Sequence, residues 1–293
     1  MIKDVILQIK YRFSQINFNR KKDINDRLIK SFGKFKEGTF NFDSIERYFR
    51  NKDNSEAHQV LSDKTCNDLD FDELFMFLDR TNSKVGQQYF YNNFRTIKVN
   101  EKQTKLNEEL IYELSKNTVL RISVQKKIKK LNQKEAYYIA TLFQEEHINT
   151  PKWFFTIKLL SFSSLLSLIL GFFNPLFFIV LLGIFCINFV IHYWNKNNLV
   201  QYISSIPQLL KLNNVASHLF INPLFKKINP DLPKSIKLIN EVKNRMVFFQ
   251  LETKLQGEFE IIAWFVFEIF KTVFLLEPLL LFGVLKKLNT KRS

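Results

Sequence analysis

The sequence predicts an all-α protein, a helical bundle interrupted by a two-helix transmembrane hairpin. Three observations predict it. The 293 residues hold only seven glycines and seven prolines, too few turn-formers for a chain rich in strands. Thirty-two phenylalanines in such a chain suit helix packing and lipid contact. Two long apolar runs lie back to back between Trp153 and Trp194, separated by Asn174-Pro175. The length suffices for two modest domains with a real core, and no internal repeat is present.

Residues 1–60 read as an N-terminal helical region, with Ile6, Ile9 and Phe13 at helical spacing and a looser stretch around Gly33–Gly38. Residues 61–150 form a second helical segment, which opens with two short helices joined by a polar corner. Phe71, Leu74, Phe75 and Leu78 recur at i, i+3, i+4, i+7, one apolar face of a 3.6-residue period. Asp70 is placed to cap that helix, with Glu73 in capping-box spacing. Ser83 is placed to cap the next. There Phe90, Phe94 and Ile97 form the apolar stripe, and Lys84, Gln87, Gln88, Tyr91 and Arg95 the polar face. Gly86 falls in the first turn, where a missing Cβ admits another backbone. Leu106, Leu110 and Leu114 mark a further helix, and Tyr137, Ala140 and Thr141-Leu142 begin another.

Residues 151–195 are the hairpin. Trp153–Phe173 carries a single charge, Lys158, and Leu176–Trp194 carries no Asp, Glu, Lys or Arg. At ~1.5 Å per residue each run spans a hydrocarbon core of ~30 Å. Trp153 and Tyr193-Trp194 mark the outer ends, where amphipathic rings prefer the headgroup level. Gly171 and Asn174-Pro175 supply the turn. Arg121, Lys126, Lys127, Lys129, Lys130, Lys134 and Lys152 precede the hairpin, Lys196 and Lys211 follow it, and the turn is uncharged. The positive-inside bias therefore puts both flanks in the cytoplasm.

Residues 196–293 return to amphipathic helix, with breaks expected at Pro207, Pro223, Pro230 and Pro233. Ile236, Ile239, Val242 and Arg245-Met246 suggest one long helix running toward Gly257. A C-terminal apolar helix over 259–285 contains Glu268, Lys271 and Glu277. Charges at bilayer depth cost roughly 2.5–3.5 kcal/mol each. A third span would also carry Lys286, Lys287, Lys291 and Arg292 outside. This helix is therefore expected to pack inside the protein or along the membrane surface, with Glu268 and Lys271 paired at i, i+3.

Net charge is +15, with 27 Lys and Arg against 21 Asp and Glu in residues 1–150 and 16 against 7 beyond. That balance suits anionic headgroups ahead of nucleic acid. The best candidate for such contact is the basic helix around Arg121, Lys126, Lys127, Lys129 and Lys130, facing phosphates of lipid or nucleic acid; a solvated helix face is the alternative. Cys66 and Cys186 are too far apart in sequence and setting to read as a disulfide, and they lack metal spacing. The four histidines are scattered and form no triad. Asp68, Asp70, Asp72 and Glu73 read as a charged helix N-terminus rather than a cation loop. The N-terminus does not read as a secretory signal.

Leu69, Asp79-Arg80-Thr81, Ser83, Val85-Gly86-Gln87-Gln88, Phe90 and Phe94-Arg95 together resemble the core segment of the MutS family of mismatch-repair ATPases. The family pattern is D-R-T-x-[S/T]-x-x-G-x-x-x-[L/F], ending in [L/F]-R. The Gln87-Gln88 version is closest to a membrane-associated MutS-like branch, whose transmembrane helices interrupt the lever before an ATPase domain. The resemblance implies a core/lever module in which Asp79, Arg80, Thr81, Gly86, Gln87, Gln88 and Arg95 form a structural joint. It further implies the bacterial cytoplasmic membrane, a MutS-type ATPase partner, and nucleic acid and homodimerisation as further associations. ATP and Mg would belong to the ATPase domain alone, because a P-loop, G-x-x-x-x-G-K-[S/T], is missing here. The nearest fragment, Ser31-Phe32-Gly33-Lys34, lacks the preceding Gly and the final Ser or Thr, and no Walker-B carboxylate follows an apolar strand. The family's mismatch-reading Phe-x-Glu has two formal matches, Phe35-Lys36-Glu37 and Phe71-Asp72-Glu73, and both read as chance. A non-catalytic module is therefore expected. The alternative is a stand-alone membrane scaffold that binds headgroups or a protein partner and no nucleic acid.

Overall fold

A computed structural model describes residues 22–144, 153–241, 243 and 258–292. It is mostly helical. The one sheet among the described residues is a two-residue antiparallel ladder, Gln59–Val60 (β1) on Thr96–Ile97 (β2), with Gln59 opposite Ile97. The chain divides into two compact units, Met1–Asn132 and Gln133–Ser293. Ile6, Ile9, Phe13 and Lys152, with Val242, Arg245-Met246 and the run to Gly257, lie outside the described residues.

The first unit contains a helix over 22–31, then α1 (Phe42–Arg50), α2 (Asp63–Asp68), α3 (Phe71–Leu78), α4 (Lys84–Arg95), α5 (Glu101–Lys116) and α6 (Thr118–Ile128). Local chemistry starts most of them. Asn41, Ser62, Ser83, Asn100 and Asn117 each accept a first-turn amide on the side chain. Asp70 precedes α3 as expected, but its carboxylate makes no cap bond, so the capping box is not formed. The reason is its left-handed backbone (φ 47°, ψ 47°), which turns the chain out of α2 directly into α3.

The core of this unit lies between α1, α3 and α4. Ile45, Phe49, Phe71, Phe75 and Tyr91 are buried there. Tyr91 meets Phe49, Phe71 and Phe75 edge-on, at ring separations of 6.1, 5.4 and 5.3 Å. The polar face of α4 lies inside: Gln87, Gln88, Tyr91, Asn92 and Arg95 are buried. Phe90 and Phe94 are half-buried and Ile97 is exposed. On α3, likewise, only Phe71 and Phe75 are buried, and Leu74 and Leu78 face outward. The leucine stripe of α5 buries none of its residues.

The second unit begins with 3₁₀ turns over Lys134–Ile139 and a short α7 (Thr141–Gln144), which bury Ala136, Tyr137, Ile139 and Leu142. Then α8 (Phe154–Gly171) and α9 (Leu176–Leu219) pack together as an antiparallel pair. Gly171, Asn174 and Pro175 make the turn, where Asn174 Oδ1 accepts the Leu176 amide and a Cβ on Gly171 would strike the Phe178 ring at 2.8 Å. α9 runs 44 residues straight through Pro207, which does not break it. Ser205, Ile206, Gln208, Leu209 and Leu210 around the proline are all buried, so packing outweighs the lost backbone bond. α10 (Pro223–Ile228) starts at its proline and is followed by a helix over 232–241. The C-terminal apolar run is two helices rather than one, α11 (Glu258–Val273) and α12 (Leu276–Arg292). The break falls at Leu275, whose φ is +48°. Both helices pack on α9, and α12 also on α7 and α8.

Candidate functional site

The corner between α3 and α4 brings the Asp79-to-Arg95 motif together around one carboxylate. Asp79 has no exposed surface. Its Oδ1 accepts the Thr81 amide at 2.8 Å and the Thr81 hydroxyl at 2.6 Å. Its Oδ2 accepts Gln87 Nε2 at 2.6 Å and Lys36 Nζ at 2.8 Å. Burial by itself raises the Asp79 carboxyl, but the bonds from Lys36 and Thr81 outweigh it and hold the group below the usual carboxylate range. Gln88, one residue along, donates to the Ser44 carbonyl at 2.7 Å and ties α4 to α1. Gly86 makes room for the cap rather than for another backbone, since a Cβ there would sit 2.8 Å from Ser83 Oγ.

Two motif residues stand apart from this carboxylate. Arg80 donates to the Phe77 and Asp79 carbonyls and lies 4.6 Å from the Phe35 ring centre. Arg95, at the far end of α4, forms a second knot. It donates to the Leu61 carbonyl at 2.7 Å and to Asp63 Oδ1 at 2.8 Å, and stacks over Phe49 at 4.4 Å. Arg50 takes the other oxygen of Asp63 at 2.7 Å. Hydrogen bonds from Arg50 and then Arg95 bring the Asp63 carboxyl down to about 2. Sequence reasoning missed Lys36, Ser44 and Asp63. They lie 43, 44 and 32 residues from their partners, and nothing local marks them.

The basic helix divides in use. Arg121 donates to the Leu114 and Ser115 carbonyls at the end of α5 and stacks over Phe32 at 3.8 Å. Lys126 and Lys127 are half-buried in the last turn of α6. Lys129 and Lys130 stand exposed on the following 3₁₀ turn. Also in the first unit is an open cavity of about 750 Å³, whose wall includes Arg27, Lys30, Lys34, Lys36 and Arg80.

In the second unit α8 and the Leu176–Trp194 part of α9 are long and apolar enough to cross a membrane. Phe155, Phe162, Phe172, Phe173, Ile179 and Val190 are each more than 60% exposed, so most of the pair's apolar surface is uncovered by the described residues. Its inner face is polar. Asn188 donates to Ser164 Oγ at 3.1 Å and to the Val273 carbonyl at 2.7 Å. Beside it the expected Glu268–Lys271 pair forms at 2.8 Å, and Lys271 also reaches Glu277 at 3.1 Å. His192 lies 3.6 Å from each carboxylate. Lys271, Glu277 and His192 are buried, so this cluster fastens α11 and α12 to α9 rather than facing solvent. Cys66 and Cys186 are free.

Fold and sites define a mostly helical protein with two helices able to cross a membrane and a polar joint in its first unit. No family model, curated protein or solved structure matches the chain.

Proposed function

We propose that this chain is a membrane-anchored core/lever module of the MutS-like kind, non-catalytic by itself. It acts with a MutS-type ATPase domain carried elsewhere, in a DNA-repair-like or DNA-binding assembly. ATP and Mg belong to that ATPase, and the hairpin sits in the bacterial cytoplasmic membrane with both flanks on the cytoplasmic side. The observation that carries this reading is the Asp79 joint. Asp79, Thr81 and Gln87, which carry the resemblance, close on a single buried carboxylate, and Gln88 ties the same helix to α1. A corner held in this way keeps α3 and α4 at one angle, as a joint that passes motion between helices requires. The exposed apolar surface of α8 and α9 supports the anchor.

A second reading, a scaffold that binds lipid headgroups or a protein and never nucleic acid, is favoured by Lys129 and Lys130, exposed and unpaired with any acid among the described residues. One experiment separates them. The full chain is captured from membranes in mild detergent, bound proteins are identified by mass spectrometry, and duplex DNA binding is measured against salt. The module reading expects a P-loop ATPase among the bound proteins and duplex affinity that falls steeply with salt. Capture with no such ATPase, together with no salt-sensitive duplex binding, overturns it in favour of the scaffold.

A further inference from the structure

We propose that the cavity in the first unit binds a nucleoside phosphate, its phosphates on the cations and its base on the phenyl rings. The inference stands on the cavity alone and does not depend on the reading above. Gly33, at φ +74°, ends the helix over 22–31 and turns the chain so that Lys34 to Glu37 close one wall. Arg80 to Asn82 and Gln125 of α6 close the others. At about 750 Å³ the space matches the usual range for small-ligand clefts, roughly 300–1,000 Å³.

Charge selects an anion. The wall carries Arg27, Lys30, Lys34, Lys36 and Arg80 against a single acid, Glu37. Lys36 is committed to Asp79, whereas Arg27, Lys30 and Lys34 are exposed and paired with no acid among the described residues. Three free cations on one concave wall are a focus for phosphate oxygens.

One further feature selects a base over a bare phosphate or a lipid headgroup. Phe32 and Phe35, both in the wall, are 49% and 63% exposed. Each already carries a guanidinium close to its ring, Arg121 at 3.8 Å and Arg80 at 4.6 Å. Rings polarised in this way and open to the cavity are platforms for a planar heterocycle. A phosphate alone leaves the rings unused.

The test is equilibrium dialysis of the full chain in uncharged detergent micelles. The probes, used separately, are AMP, ATP, inorganic phosphate and a 5′-phosphorylated oligothymidylate. At least one nucleotide probe is expected to bind saturably, with inorganic phosphate at least about ten-fold weaker, because base–aromatic stacking contributes ~1–3 kcal/mol. Tighter binding of the free nucleotides assigns a small-molecule ligand; tighter binding of the oligonucleotide assigns the end of a strand. Lys30→Glu with Lys34→Glu is expected to weaken binding by about ten-fold or more. Lys102→Glu with Lys105→Glu, the same charge change on exposed positions of α5, is expected to leave it within about two-fold. Phe35→Ala is expected to weaken nucleotide binding about ten-fold and phosphate binding not at all. The proposal is overturned by phosphate binding as tightly as nucleotide, by equal losses in the two charge-reversal pairs, or by no saturable nucleotide binding. A parallel sedimentation with phosphatidylglycerol vesicles, in which the chain binds these and none of the nucleotide probes, overturns it as well.

Discussion

Asp79 has every acceptor direction it needs filled, by Thr81, Gln87 and Lys36, and no exposed surface. Removing the carboxylate takes one acceptor from a buried glutamine amide and from the Lys36 ammonium, which still reaches the Thr81 hydroxyl and keeps 22% of its side-chain surface. Asp79→Ala is therefore expected to cost about 3 kcal/mol, the low end of the range for breaking a buried pair. Hydrogen exchange of the α3 and α4 amides measures it, and unchanged protection there would mean that the corner is not held by this residue. The second knot predicts an acid response. Asp63 is brought to about 2 by Arg50 and Arg95, and Asp79 is held below the ordinary carboxylate range. Both folded values lie below the unfolded one, ~3.9. Their contribution is therefore complete above about pH 5, and that of Asp63 is lost as the pH falls toward about 2. The thermal midpoint of the full chain in detergent should fall over that window, and Asp63→Asn should flatten the fall. The Asp63 share should be modest, because its side chain is 57% exposed and solvent screens the pair.

Among the elements, α4 and the helical hairpin were legible through the Ser83 cap, the apolar runs and the Asn174-Pro175 turn, and α3 through its apolar spacing alone, because these are local signals. Which face of α4 is buried was not legible. Periodicity assumes that apolar residues go inside, but Gln87, Gln88 and Arg95 are carried inward by partners 8, 44 and 32 residues away. A polar stripe bonded across the fold looks, in sequence, like a solvated one. Pro207 misled in the same way, since its cost is local and the burial that offsets it is tertiary. At the C-terminal end, Glu268 and Lys271 were readable as a pair, but His192 and Glu277 joined them through packing. That closure predicts an asymmetry. Lys271→Met alone leaves the buried Glu277 and the half-buried Glu268 without the ammonium between them and is expected to cost about 3 kcal/mol, the low end for breaking a buried pair. Combining it with Glu268→Gln and Glu277→Gln removes the unpaired charges and should restore most of the loss. Thermal midpoints in detergent decide it; equal midpoints for the single and triple variants would mean the four groups do not share one buried site.

For the whole molecule, the length of α9 constrains how the chain can meet a bilayer. Its 44 residues extend about 66 Å at 1.5 Å per residue, roughly twice the ~30 Å of a hydrocarbon core. If the pair crosses a bilayer, about half of α9 stands outside it. The Leu176 end is fixed at the uncharged hairpin turn, so the excess leaves on the opposite side, the side from which α8 entered. The outward half also contains Lys211, whose ammonium reaches Gln133 at 2.7 Å; burial lowers its pKa, and it remains a group that a lipid interior would exclude. On the proposed membrane reading the residues before α8 and after α9 therefore share one face, and the lysine-rich flank predicts that this face is the cytoplasmic one. Single cysteines introduced as Lys129→Cys, Asn174→Cys and Asn229→Cys in a Cys66→Ala, Cys186→Ala background test this, since all three positions are exposed. In intact cells a membrane-impermeant maleimide should label Asn174→Cys alone, and the other two only after the membrane is opened. Labelling of Asn229→Cys together with Asn174→Cys would mean that α9 does not return to the side of entry. Equal labelling of all three in intact cells would mean that the hairpin does not cross, and the exposed phenylalanines of α8 and α9 would then have to be covered by protein instead of lipid.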